Sequence, residues 1–180
     1  MLNGMIGLVT FCYPFLVWFA HDYLQPRDLA LVMAGLFLLR TVLHKQAKAK
    51  LWVPLYLVCA LFMLLTAYIN QTTWLWAYPV FISMVFFTVF IYSLCYPPPI
   101  IERLARLEDP DLPPKGVAYT RKVTQVWSGF FLLNASLSLL TIWYGEQWLW
   151  NLYNGGIFYV LMGLLMAVEM FIRRKVKASY

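Results

Sequence analysis

A chain of 180 residues that is 62% hydrophobic and 12% charged, with a mean hydropathy of +0.68, is excluded from the soluble globular class, whose members run nearer half apolar and a quarter charged. A net charge of +6 and a pI of about 9.3 would fit a nucleic-acid binder. Here the basic residues sit in short links between apolar runs, so the charge reads as membrane topology and attraction to anionic lipid, with no nucleic-acid partner.

In chain order, the first apolar run is Met5 to Ala20, closed by His21 and Asp22. It has no basic start and no small-residue cleavage site, so it reads as a retained helix rather than a signal peptide. The second is Leu29 to Leu43, short, with Asp28 as the expected N-cap. The third is Leu51 to Ile69. After the polar link Asn70-Gln71-Thr72-Thr73 comes the fourth, Trp74 to Tyr96. The fifth is Val123 to Tyr144 and the sixth Trp148 to Ile172. Each approaches the length that crosses a bilayer. Pro14, Pro54 and Pro79 are expected to kink their helices. The fold class expected is therefore all-α, a polytopic membrane bundle of six helices forming one integral membrane domain over residues 1–180.

Lys and Arg orient the bundle. With the N-terminus inside, 13 of the 14 basic residues fall on or beside the cytoplasmic side, and Arg27 alone falls outside. Both termini are expected in the cytoplasm, in a bacterial inner membrane. Trp74, Trp76, Tyr144, Trp148 and Trp150 then form an outer aromatic belt.

The longest link, 97–122, is expected to be cytoplasmic. Pro97-Pro98-Pro99 stops the fourth helix, and Pro99 can open a new one as its first residue. Ile100, Ile101, Leu104 and Leu107 share one face, and Glu102, Arg103 and Arg106 the other, which predicts a short amphipathic helix on the inner interface. Arg103, Arg106, Lys115, Arg121 and Lys122 are candidate contacts for an acidic partner or a lipid headgroup.

Charged or polar groups inside the apolar runs need partners. Glu169 is one turn from Arg173, so a pair between them is expected, and a contact of Glu169 with Arg40 is the alternative. Arg40 can also extend to the inner interface. A small, hydroxyl-rich face on the fifth helix (Thr124, Ser128, Ala135, Ser138) is expected to pack on Gly156, Gly163 and Ala167 of the sixth. The sharper reading is a polar pocket around Asn134 with Asn154. Arg40, Asn134, Asn154, Glu169 and Arg173 thus form the candidate intramembrane polar set. Weak echoes between the Tyr-Pro of the first and fourth helices raise an inverted repeat as a further reading.

No catalytic constellation is visible: there is no HExxH, GxSxG, P-loop or aspartate-rich motif. His21 and His44 lie at opposite edges of the expected membrane, so no metal set and no cofactor is expected. Cys12, Cys59 and Cys95 read as buried apolar residues. Asn70-Gln71-Thr72 and Asn134-Ala135-Ser136 match the glycosylation pattern, but lie against or inside the expected bilayer.

The second half carries Pro97-Pro98-Pro99-Ile100-Ile101-Glu102-Arg103-Leu104, then Gly116-Val117-Ala118-Tyr119-Thr120-Arg121-Lys122-Val123-Thr124-Gln125-Val126-Trp127. Phe130-Phe131-Leu132-Leu133-Asn134, Tyr153-Asn154-Gly155 and the run from Gly163 to Arg174 follow. In these residues the chain resembles a family of uncharacterised bacterial inner-membrane proteins. Their genes often lie in clusters for aryl polyene or flexirubin-like pigments, beside ketosynthases and acyl carrier proteins. The pattern is distantly similar to the intracellular septation protein A family. No activity attaches to the family, so the resemblance carries over no catalytic residue. It implies a non-enzymatic accessory or scaffold protein for a fatty-acid-like pathway, with membrane lipids and an acyl carrier protein or its synthases as partners. Transport of a lipid-like product and a cell-envelope or septation scaffold are the alternatives. Self-association is left open.

Overall fold

The computed structural model describes residues 24–43 and 53–178. The expected first helix, with Cys12, Pro14, His21 and Asp22, lies outside the described residues, as do His44, Lys45, Lys48 and Lys50. The described residues are mostly helical, and no strand occurs among them. In order they form α1 (Pro26–Leu43), α2 (Val53–Ile69), α3 (Thr72–Trp76), α4 (Tyr78–Cys95), α5 (Ile100–Ala105), α6 (Pro114–Tyr144), α7 (Gln147–Leu152), a π-helical turn (Tyr153–Ile157) and α8 (Phe158–Lys177). Among the described residues, three helical stretches are long and apolar enough to cross a membrane: Thr72–Cys95, Pro114–Tyr144 and Gln147–Lys177. Val53–Ile69 is apolar and shorter.

Prolines set helix starts. α1 begins at Pro26, with the Gln25 carbonyl accepting from Asp28 N at 3.0 Å. Asp28 is therefore not the N-cap expected. It lies in the first turn, where its charge still complements the helix dipole. Pro79 stands second in α4, directly after the helical stretch Thr72–Cys95 is interrupted at Ala77, a position where its missing N–H is tolerated. Pro54 lies next to the edge of the described residues. The fifth expected helix starts nine residues early, at Pro114. Between Pro114 and Val123 only Gly116, in the first turn, disfavours helix, and helix formation does not require the apolar character from which the expected span was read.

The chain forms two compact units. Of the described residues, one comprises those up to Tyr78 with Glu146–Gly155, the other Pro79–Gly145 with those from Gly156 onward. In the first, α1 packs on α2. Ala30, Met33, Ala34 and Phe37 of α1 and Cys59, Ala60, Met63, Thr66 and Ala67 of α2 are buried. Both sets recur at helical spacing, and the small residues permit close approach. At the far end of α2, Asn70 takes a left-handed conformation (φ 53°), tolerable for asparagine. Its Oδ1 accepts from Arg27 N at 3.0 Å, satisfying a first-turn N–H of α1. Trp150 is fully buried, stacks on Trp76 at 5.9 Å and donates to its carbonyl at 3.1 Å.

The second unit contains most of α4, α5, α6 and α8. Phe131 of α6 stacks on Phe86 (5.1 Å) and meets Phe90 edge-on (5.2 Å), joining α6 to α4. Phe130 stacks on Phe158 at 6.1 Å, joining α6 to α8. The small face of α6 is buried as expected, at Thr124, Ser128, Ala135 and Ser138. The partner face is not. No residue of α8 is buried, Gly163 and Ala167 are exposed, and a Cβ added at Gly156 or Gly163 would meet nothing within 4 Å. The α6–α8 contact includes the Phe130–Phe158 ring stack, which does not need the close approach that glycines provide.

Candidate functional site

The basic face of the second unit is assembled from the link after α4. Pro99 is the N-cap of α5 (φ −55°, ψ 153°), one position earlier than expected. Ser93 of α4 accepts from Ile100 N at 3.0 Å, satisfying the first N–H of α5. Arg103 turns back on the helix it follows. Its Nε donates to Pro98 O at 2.7 Å and its Nη2 to Tyr96 O at 3.2 Å. A cation there meets carbonyls that the end of α4 leaves free.

Glu102 corrects the expected amphipathic pattern. It was assigned to the polar, outward face, yet it is buried, with 6% of its surface exposed. Arg106 makes this tolerable. It donates from Nε to Glu102 Oε1 at 2.9 Å and brings its Nη2 to 2.8 Å. A two-pronged pair neutralises the carboxylate, which alone would be costly to bury. Nη1 of Arg106 donates to Pro110 O at 3.0 Å, closing the link on itself. Leu104 and Leu107 face outward instead, as an interfacial helix requires.

α5 packs on the start of α6. There Lys115, Arg121 and Lys122 are exposed. Among the described residues, Arg121 and Lys122 make no ion pair or hydrogen bond through their side chains. The five basic candidates thus divide in two. Arg103 and Arg106 fasten the link, whereas Arg121 and Lys122 present their charge to the surroundings.

The intramembrane set divides as well. Glu169 does not pair with Arg173. The Tyr119 hydroxyl donates to its carbonyl at 3.0 Å and approaches its Oε1 at 3.3 Å. Arg173 reaches Glu108 at 2.8 Å, with Lys177 Nζ 4.0 Å from the same oxygen. A phenol meets the carboxylate without drawing a guanidinium toward the apolar stretch, and Arg173 finds its counter-ion in the exposed link. Arg40 belongs to the first unit, where its guanidinium lies 5.3 Å from the Tyr56 ring centre.

Asn134 and Asn154 belong to different units, and each bonds within its own. Asn134 Nδ2 donates to Ser83 Oγ at 2.7 Å, and Ser83 Oγ to Pro79 O at 2.7 Å. Asn154 Nδ2 donates to Trp150 O at 3.1 Å. Thr120, Thr124 and Ser128 return their hydroxyls to carbonyls of the preceding turn, at 2.8 Å each. This buried stripe spends its donors on the backbone.

Tyr119, Glu108, Ser93 and Ser83 are the residues that sequence reasoning missed. Tyr119 and Ser83 meet partners about fifty positions away, and no spacing rule links such pairs. Among the described residues, no group of three His, Cys, Asp or Glu could hold a metal ion. Comparisons with known protein families, with curated proteins and with solved structures find no match to this chain.

Proposed function

We propose that the chain is a non-enzymatic accessory protein of a bacterial inner membrane, of six spans with both termini in the cytoplasm. It gives a soluble, fatty-acid-like assembly line a place to dock. The partner is an acyl carrier protein, or the synthase that carries one, in a pathway of the aryl polyene kind. The resemblance of residues 97–175 to the pigment-cluster family supports the pathway. The exposed pair Arg121 and Lys122 is the observation that carries the docking role: two cations without counter-ions among the described residues, on the turn of α6 just before its apolar stretch. Carrier proteins are acidic, and charge complementarity of this kind raises encounter rates and selects partners.

The buried hydroxyl stripe of α6 favours neither transport nor catalysis, because its hydroxyls are turned to the helix's own carbonyls.

The test is charge reversal at Arg121 and Lys122 together. Arg103 and Arg106 stay unchanged because they fasten the link. Insertion is expected to survive, product output to fall, and crosslinking to the carrier protein to weaken further as salt is raised. Full output and full crosslinking from a correctly inserted Arg121→Glu/Lys122→Glu protein would remove the docking reading.

A further inference from the structure

The carboxylate of Glu108 lies beside two cations of α8, at 2.8 Å from Arg173 and 4.0 Å from Lys177. Glu108 itself is two-thirds exposed, with 67% of its side-chain surface open. An exposed pair is weak and screened by salt. The arrangement therefore resembles a small anion site with a loosely held occupant.

Its position says which anion. α8 has no buried residue, and most of its apolar side chains from Val160 through Ile172, among them Val160, Leu164, Val168 and Phe171, face outward, where acyl chains would line it. Arg173, Arg174, Lys175 and Lys177 follow at once, at the level where lipid phosphates lie. Basic clusters directly beyond a membrane helix attract anionic headgroups. Leu107, adjoining Glu108, is 53% exposed, so the link also presents an apolar side chain at this level. The Arg173 fork can take two phosphate oxygens, while Lys177 adds a point charge.

We propose that Arg173 and Lys177 bind the phosphate of an anionic phospholipid, and that Glu108 is a resident anion which this lipid displaces. An acidic protein would have to bring its carboxylates against acyl chains to reach the same place. The proposal requires only that α8 lies in a bilayer, so it stands apart from carrier-protein docking.

The test uses the full chain in nanodiscs of equal parts phosphatidylglycerol and phosphatidylcholine, with retained lipid counted by native mass spectrometry. Arg173→Ala/Lys177→Ala is expected to lose phosphatidylglycerol by roughly 5-fold per charge removed. Glu108→Gln is expected to gain about 1.5- to 5-fold, the range that loss of an exposed competing pair implies. Misfolding cannot imitate that gain. Inorganic phosphate is expected to release no more lipid than chloride at matched ionic strength. Unchanged retention in the double variant, or no gain with Glu108→Gln, would overturn the proposal. Selective release by inorganic phosphate would also overturn it, by reassigning the site to a soluble anion.

Discussion

Glu102 and Glu169 show two ways of keeping a carboxylate beside apolar surroundings. Glu102 is buried behind a two-pronged arginine. Glu169 is half-buried and met by a phenol. The first solution commits its partner: Arg106→Ala leaves a buried charge unpaired and is expected to cost about 1–3 kcal/mol of stability, read as a lower thermal unfolding midpoint. Restoring apolar shape on both sides, Glu102→Leu with Arg106→Leu, should recover much of that loss. The second solution is lighter. Tyr119→Phe should cost about 0.5–1.5 kcal/mol, whereas Glu169→Gln, which keeps both acceptor oxygens for Tyr119, should fold normally. Gly163→Leu should be close to neutral in the same assay, because nothing lies within 4 Å of the added Cβ. A loss above about 1 kcal/mol would show that another surface covers Gly163.

At the scale of elements, apolar runs made the helices legible and helix grammar set their ends. Ile69 as an end was readable because a polar link follows it. The start of α6 was not, because Lys115 to Lys122 look like loop to a hydropathy reading, although only Gly116, in the first turn, disfavours a helix there. Pro79 was visible in a long apolar run, and the helix is interrupted at Ala77 just before it. Whether a proline bends a helix or opens one turns on one or two positions of register. The role of Asn70 was masked by its membership of a glycosylation triplet, and only the left-handed backbone and the bond to Arg27 N reveal it. Asn70→Ala is expected to destabilise by about 1–2 kcal/mol, since it loses both the cap and the tolerated conformation. Asn70→Gly keeps the conformation and should be milder. Equal losses would mean that the hydrogen bond alone matters.

For the whole molecule, the apolar runs made an all-helical fold legible, and three helical stretches among the described residues have the length and apolarity to cross a membrane. The expected span count rests on the six apolar runs, and the expected orientation on the distribution of Lys and Arg. Reporter fusions near Lys115 and after Tyr180 are expected to read cytoplasm, and fusions at Asn70 and Glu146 periplasm. A periplasmic reading at Tyr180 would remove the six-span arrangement. The pairing of Tyr119 with Glu169 was beyond any reading of composition, because it depends on how far α6 runs ahead of its apolar stretch.

That early start turns the basic residues into part of a rod. From Pro114 to Val123 the helix rises about 13 Å, so Arg121 and Lys122 ride on a rigid stem whose rotational phase is shared with the buried Thr124 and Ser128. Inserting one alanine after Lys122 would turn the stem by about 100° relative to the span, carrying Tyr119 away from Glu169 and pointing both cations elsewhere. Seven alanines would bring the phase back to within about 20° while lifting the stem by two turns. Carrier-protein crosslinking that fails with one added residue and partly returns with seven would mean that direction, beyond charge alone, is what a docked partner reads.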